Sequence, residues 1–337
     1  MSLWVAGCVR TAPFKDARGA VVPQSIAAME QVKIGGILQS VWFRGEDRGN
    51  PALLLLHGGP GVSESALFRH YNAELEKDFL VVYWEQRGTG RSYHSDIPPA
   101  SLTIEQMLRD LDQVVELVRR RFHKDKVVLL GHSWGTVLGA IYSHRYPEKV
   151  SAYVSVAQVV NVAEGARLSC EFAISEARRR GADSALRELE TICPTPRSVD
   201  DRLALGEWVE RFGGVFHGDL STEKLIWAAL CTDEANLVDL VKFGQGNRFS
   251  LVHLEKENAQ VNLAERFRSF AVPIFFLLGR YDRQVPAVLA ERYFHALSAP
   301  HKEIIWFEQS AHNPPFEEPE KFDRFLIDRI LPWAANG

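Results

Sequence analysis

A chain of 337 residues, 46% hydrophobic and 24% charged, carries enough apolar material for one large soluble domain or for a domain with a substantial insertion. Its formal net charge of −4 lacks the basic excess of a nucleic-acid surface, and no apolar run reaches the roughly 18 residues of a membrane-spanning helix. The four cysteines (Cys8, Cys170, Cys193, Cys231) are scattered without a C-x-x-C, which argues against zinc or a disulfide framework and leaves room for a single bridge.

In chain order, residues 1–24 read as an N-terminal extension. Within it "LWVAGC", Leu3 to Cys8, is like the end of a bacterial lipoprotein signal but lacks the basic and full apolar stretches that precede such a cysteine. Two expectations follow. Either a removed upstream signal left a lipid anchor at Cys8, with a periplasmic or membrane-anchored protein, or this is a frayed terminus with a chance cysteine on a cytoplasmic one.

From residue 25 the chain alternates strand-like and helix-like segments. "IAAMEQVKIGG" and "QSVWFRGE" predict an antiparallel pair turning at Gly35-Gly36, and "ALLLLHGG" a buried strand ending at glycines. Ser63 is expected to cap a helix running to about Lys77, and "FLVVYWEQRG" to form another buried strand. Thr103 and Gln106 suggest a capping box before a helix with Met107, Leu111, Val114, Val115 and Val118 on one face. Arg119, Arg120 and Arg121 read as its cationic last turn. Strands "KVVLL" and "VSAYVSVAQ" follow, so residues 25–158 read as the first part of an α/β domain with a mostly parallel sheet.

Residues 159–265 contain no convincing buried strand. They carry helical runs, "CEFAISEARRRGADSALRELETI" and "KLIWAALCTDEANLVDLVKF", and read as an inserted helical cap. Residues 266–337 resume the α/β pattern with strands "VPIFFLLGRYD" and "KEIIWFEQSAH" and a terminal helix in "PEKFDRFLIDRILPWA", with proline at its start.

The chemistry begins at "GHSWG". Ser133 stands at the centre of G-x-S-x-G between a strand and a helix, the setting in which a tight turn lifts a serine hydroxyl out of the sheet. A serine hydroxyl needs a base, and His312 follows the last strand, where open α/β sheets place their sites. The acid that orients the base is expected after a strand between the two. Asp282 in "GRYD" occupies that place, Gln158 cannot carry the charge, and Glu308 lies within a strand-like run. The order Ser133…Asp282…His312 is that of α/β-hydrolases. Oxyanion donors are expected at the Trp134 N–H and in the turn "HGGPG", first Gly59 and then Gly58. No P-loop is present, and "RGTGRS" lacks dinucleotide-site spacing.

Taken together, "HGGPG", "YWEQRGTGRS", "GHSWGT", "GRYD" and "SAHNP" resemble the proline iminopeptidase branch of the α/β-hydrolases. The resemblance implies that Ser133 attacks, His312 shuttles the proton, Asp282 orients it and an acyl-enzyme forms, with no metal or organic cofactor. It also implies a small-molecule or short-peptide substrate. Glu85 stands where the branch has Asp, and His132 where it has Gly. Glu85 is expected to support the Arg87 loop. The branch binds the substrate amine with cap glutamates near W-x-x-W-E, a pattern missing here, and "GEWVERFGG" offers Trp208, Glu207 and Glu210 in its place. Other cap acids, such as Glu164, Glu171 and Glu176, read as solvated helix faces. Release of an N-terminal proline or small residue is therefore weighed against a carboxylesterase, lactonase or amidase with the same three residues, and against a non-catalytic binding protein.

Overall fold

The computed structural model describes residues 11–193, 195, 196 and 198–335. The "LWVAGC" segment and Cys8 lie outside the described residues.

Eight strands form one sheet: β1 (Ile26–Ile34), β2 (Ile37–Gly45), β3 (Ala52–Leu56), β4 (Leu80–Trp84), β5 (Val127–His132), β6 (Val150–Val156), β7 (Ile274–Gly279) and β8 (Lys302–Phe307). Their spatial order is β1-β2-β4-β3-β5-β6-β7-β8. The first two pairings are antiparallel and the remaining five parallel. The run "ALLLL" makes β3 because a central parallel strand is covered on both faces. Leu53 and Leu55 enter one core and Leu54 and Leu56 the other, the period of two that a strand imposes.

The flanking helices of the first half are α1 (Ser65–Tyr71), α2 (Leu75–Asp78), α3 (Ile104–Phe122) and α4 (Gly135–Arg145). Six more lie in chain order between β6 and β7: α5 (Val162–Arg180), α6 (Asp183–Ile192), α7 (Val199–Arg211), α8 (Thr222–Leu230), α9 (Leu237–Asn258) and α10 (Leu263–Arg266). The chain closes with α11 (Ala287–Ala296), α12 (Pro314–Glu317), α13 (Pro319–Phe325) and α14 (Leu331–Ala335). Helix α3 buries all five apolar residues read from its period, and ends on His123 in the left-handed conformation after its three arginines.

Several boundaries differ from the sequence reading, each for a local reason. Ser63 caps no helix, because its hydroxyl donates to Glu85 Oε1 at 2.7 Å, and α1 starts after Glu64 without a side-chain cap. Thr103 does accept from the Gln106 N–H, but the Gln106 side chain turns to Asp110, so the box is half formed. Gly181, at φ 64°, ends α5 and divides the first long helical run. The second run is divided where Asn236 and Asp239 form a capping box that starts α9. A π-helical turn at Leu326–Ile330 precedes Pro332, whose ring removes a helical donor. Cys170 and Cys193 form one disulfide with Cα atoms 5.8 Å apart, tying α5 to the end of α6, while Cys231 is free and exposed.

Asp323 in α13 gives the fold a pH signature. Burial pushes its carboxyl from the ordinary 3.8 up to about 7, against the hydrogen bond from Asn72 that lowers it. Between those two values the folded chain holds a proton that the unfolded chain releases, so this group makes stability fall as pH rises through the window. Asp323→Asn is expected to flatten that part of the Tm-versus-pH curve. An unchanged slope would show that the dependence arises elsewhere.

Candidate active site

From β3 the chain crosses to β4 on one side and returns to β5 on the other, so the strand order reverses around β3. Open α/β sheets leave a crevice beyond the carboxyl ends of such strands. The turn after β3, the elbow after β5 and the loops after β7 and β8 all open at this end of the sheet.

The elbow is set by what cannot fit there. A Cβ at Gly135 would come within 1.8 Å of the Leu56 carbonyl oxygen, so only glycine lets α4 start this close to β3. Ser133 takes φ 50°, a left-handed conformation unusual for a residue with a side chain, and its N–H donates to the Val156 carbonyl at 3.0 Å. The serine is half-buried at the floor of a cavity of about 630 Å³.

Asp282 and His312 meet across the loops after β7 and β8. The His312 Nδ1 lies 2.9 Å from Asp282 Oδ2, and both residues are buried. Asp282 Oδ1 accepts the N–H groups of Gln284 and Val285 at 2.9 and 2.8 Å, so the carboxylate is held from behind while its other oxygen faces the imidazole. The histidine loop is cradled by Glu317, whose carboxylate accepts from the backbone N–H groups of Ala311, Asn313 and His217. Burial raises the Glu317 pKa, and those three donors lower it in turn. Ser133 and His312 line the same cavity without a hydrogen bond between their side chains, a looser geometry than a reacting complex adopts. Glu308, the other candidate acid, sits exposed in an ion pair with Arg280 at 2.6 Å.

Of the three expected oxyanion donors, the structure distinguishes two. Gly58 N–H is taken by Glu64 Oε2 at 3.2 Å. Gly59 is exposed and lines the cavity at φ 113°, where a Cβ would fall 2.6 Å from Gly61 N, so the turn takes this shape only with glycine. Trp134 precedes the first residue of α4, where N–H groups have no intrahelical acceptor. The turn is braced by His57, whose Nε2 accepts from the Gln86 N–H while Nδ1 faces the Gly58 carbonyl, both at 3.0 Å. Burial holds His57 below its ordinary pKa.

Side chains from the helices between β6 and β7 line the cavity, among them the apolar Val162, Leu225, Ile226, Leu230, Leu240 and Phe243. Glu207 and Glu210 reach it. Glu210 accepts from Thr222 N and Oγ1 at 3.2 and 2.9 Å, and the Glu207 side chain is 71% exposed. Trp208 is turned away from the cavity: it stacks on Phe212 and donates its indole N–H to Glu188. Glu85 holds the loop that carries Arg87 through its backbone, not through the guanidinium. It accepts from Ser63 and the Arg91 N–H, whereas Arg87 is paired with buried Asp110 at 2.8 Å. Burial raises the pKa of Glu85, offset in part by Arg91. Among the described residues no cluster of His, Cys, Asp and Glu could hold a metal ion, and no helix is long and apolar enough to cross a membrane.

Sequence reasoning passed over Glu64 and the Glu317 cradle. Glu64 Oε1 lies 2.6 Å from His132 Nδ1 across a separation of 68 residues, a pairing that no local spacing announces. The one available signal was a histidine at 132 where the resembling branch carries glycine.

A family model described as the alpha/beta hydrolase fold matches residues 51–185. The chain is 35% identical over 306 residues to the "Probable aminopeptidase YbaC" of Bacillus subtilis (strain 168), spanning 90% of this chain and 96% of that protein. It is 27% identical over 281 residues to the proline iminopeptidase of Heyndrickxia coagulans, spanning 82% and 89%. Among solved structures, the proline iminopeptidase of Mycobacterium smegmatis is similar with a TM-score of 0.65 at 16% identity, over 91% of this chain and 98% of that one, a likeness of fold.

Proposed function

This chain belongs to the α/β-hydrolase family as a proline iminopeptidase-like serine hydrolase, and from that membership we propose that it releases N-terminal residues from short peptides through an acyl-enzyme on Ser133. The observation that carries the assignment of roles is the buried Asp282–His312 hydrogen bond of 2.9 Å at the rim of the cavity whose floor holds Ser133.

In this reading Ser133 Oγ attacks the scissile carbonyl and His312 Nε2 takes its proton. Asp282 holds the Nδ1–H and stabilises the imidazolium. The oxyanion receives the N–H groups of Trp134 and Gly59, which point at developing charge without reorganising. His312 then protonates the departing amine, the Ser133 ester forms, and water activated by the same histidine hydrolyses it. The inserted helices act as a cap that excludes bulk water, with Glu207 and Glu210 as carboxylates for the substrate ammonium.

A second reading has its own observation. The cavity of about 630 Å³ is far larger than one proline requires, and much of its wall is apolar, which suits an ester or amide with a bulky apolar group. A hydrolysis screen separates the two. Turnover of prolyl- or alanyl-anilides above that of acyl esters is expected, and strong ester turnover without any anilide cleavage would remove the aminopeptidase assignment.

A further inference from the structure

His132 and Glu64 form a buried pair directly beneath the reacting groups, and their partners are unusual in kind. The His132 ring faces Glu64 Oε1 at 2.6 Å through Nδ1 and the backbone carbonyl of His312 at 3.0 Å through Nε2. The other Glu64 oxygen accepts the Gly58 N–H at 3.2 Å. Among the described residues the two side chains make no further hydrogen bond. Each partner therefore belongs to a reacting loop: Gly58 to the oxyanion turn, His132 to the elbow as the neighbour of Ser133, and His312 to the base loop.

We propose that Glu64 and His132 are positioning residues, an ion-paired clamp that sets the oxyanion turn, the nucleophile elbow and the base loop in one register. This rests on the reading of Ser133 and His312 given above. Both partners of the ring are acceptors, so the ring donates from both nitrogens and carries a positive charge. That charge is tolerable in a residue only 1% exposed because the carboxylate balances it. With Gly58 N–H committed to Glu64, the next amide, Gly59, is the one left to face the substrate. The clamp also holds the His312 backbone at its carbonyl, 3.0 Å from His132 Nε2, and the two ring centroids lie 5.2 Å apart.

The charge state gives the clamp a signature that packing alone lacks. The titratable groups facing His132 are Glu64, from the start of α1, His312, from the loop after β8, and Asp282, from the loop after β7. Burial pushes the ring's pKa down, but the Glu64 charge and hydrogen bond, helped by the His312 carbonyl and the Asp282 charge, leave it raised. The clamp is whole while the ring keeps both protons and opens when it loses the second as pH rises, later than for an ordinary imidazole. Replacing Glu64 by Gln removes the balancing charge and moves that opening to lower pH.

The test needs no knowledge of the substrate. The second-order rate of Ser133 labelling by a fluorophosphonate probe is measured against pH for the wild type, Glu64→Gln, Glu64→Asp and His132→Asn, with Tm recorded for each. Labelling of Glu64→Gln at pH 7 is expected to be slower by about 10- to 100-fold, the scale of a misplacement near 1 Å. Its alkaline limb is expected at lower pH than in the wild type, with Glu64→Asp retaining the wild-type limb. Wild-type rates in Glu64→Gln, or slowing by one factor at every pH with the limb unmoved, would overturn the clamp while leaving the role of Ser133 intact. A wild type that does not label at all overturns both. Should the variants fail to fold, the wild type alone decides through ¹⁵N-histidine spectra. A buried ring protonated on both nitrogens at pH 7 supports the clamp, and only neutral tautomers among the buried rings would refute it.

Discussion

Ser133→Ala is expected to lower kcat by up to about a millionfold while leaving the fold intact, because the variant removes the oxygen to which the attack is assigned and little else. Alanine bears the same Cβ as serine, so the strain of φ 50° is unchanged, and the backbone N–H still reaches the Val156 carbonyl. The oxyanion turn and the Asp282–His312 bond do not depend on the hydroxyl. What survives is the catalysis that amide donors and binding provide to a passing water, on the order of a thousandfold over solution. The measurement is kcat on whichever anilide or ester proves active, with Tm alongside. A fully active variant, or an unfolded one, would contradict the role given to Ser133.

Asp282→Asn is expected to cost less, on the order of ten-thousandfold in kcat, for a reason visible in its hydrogen bonds. Oδ1 accepts two backbone N–H groups and Oδ2 faces the imidazole. An asparagine must keep its carbonyl oxygen toward the two N–H donors, which turns its NH₂ toward His312. The histidine then accepts at Nδ1 and carries its proton on Nε2, the tautomer that cannot receive a proton from serine. The loss is one of tautomer rather than of packing, so Tm should move little. A nearly silent Asp282→Asn combined with a crippled Glu308→Gln would show that the acid was misnamed, although Arg280 already engages Glu308 and holds its carboxyl below the usual range.

Much of this molecule is legible from its sequence wherever local pattern and tertiary environment agree. The run "ALLLL" can only be a strand covered on both faces, and "GHSWG" between a strand and a helix can only turn sharply, so the sheet and the elbow follow from composition. Asp282 and His312 could be singled out because each follows a strand and the topology carries both strand ends to one rim. Three of the misreadings share a cause: a side chain took a partner other than the one its local spacing offered. Ser63 left its helix for Glu85, Gln106 left Thr103 for Asp110, and Trp208 left the cavity for Phe212 and Glu188. Glu64 is the extreme case. Flanked by Ser63 and Ser65 it reads as an ordinary helix start, and nothing local points to His132.

The backbone at Ser133 has a consequence for how this protein tolerates change. A left-handed residue that is not glycine costs about 1 kcal/mol, and glycine adopts the same conformation almost without penalty. The local backbone preference by itself would therefore write G-H-G-W-G at the elbow, set against the greater chain entropy that glycine loses on folding, and a screen that ranks substitutions by melting temperature is blind to the role proposed for the serine. Selection on folding alone would give no protection to the serine to which the attack is assigned.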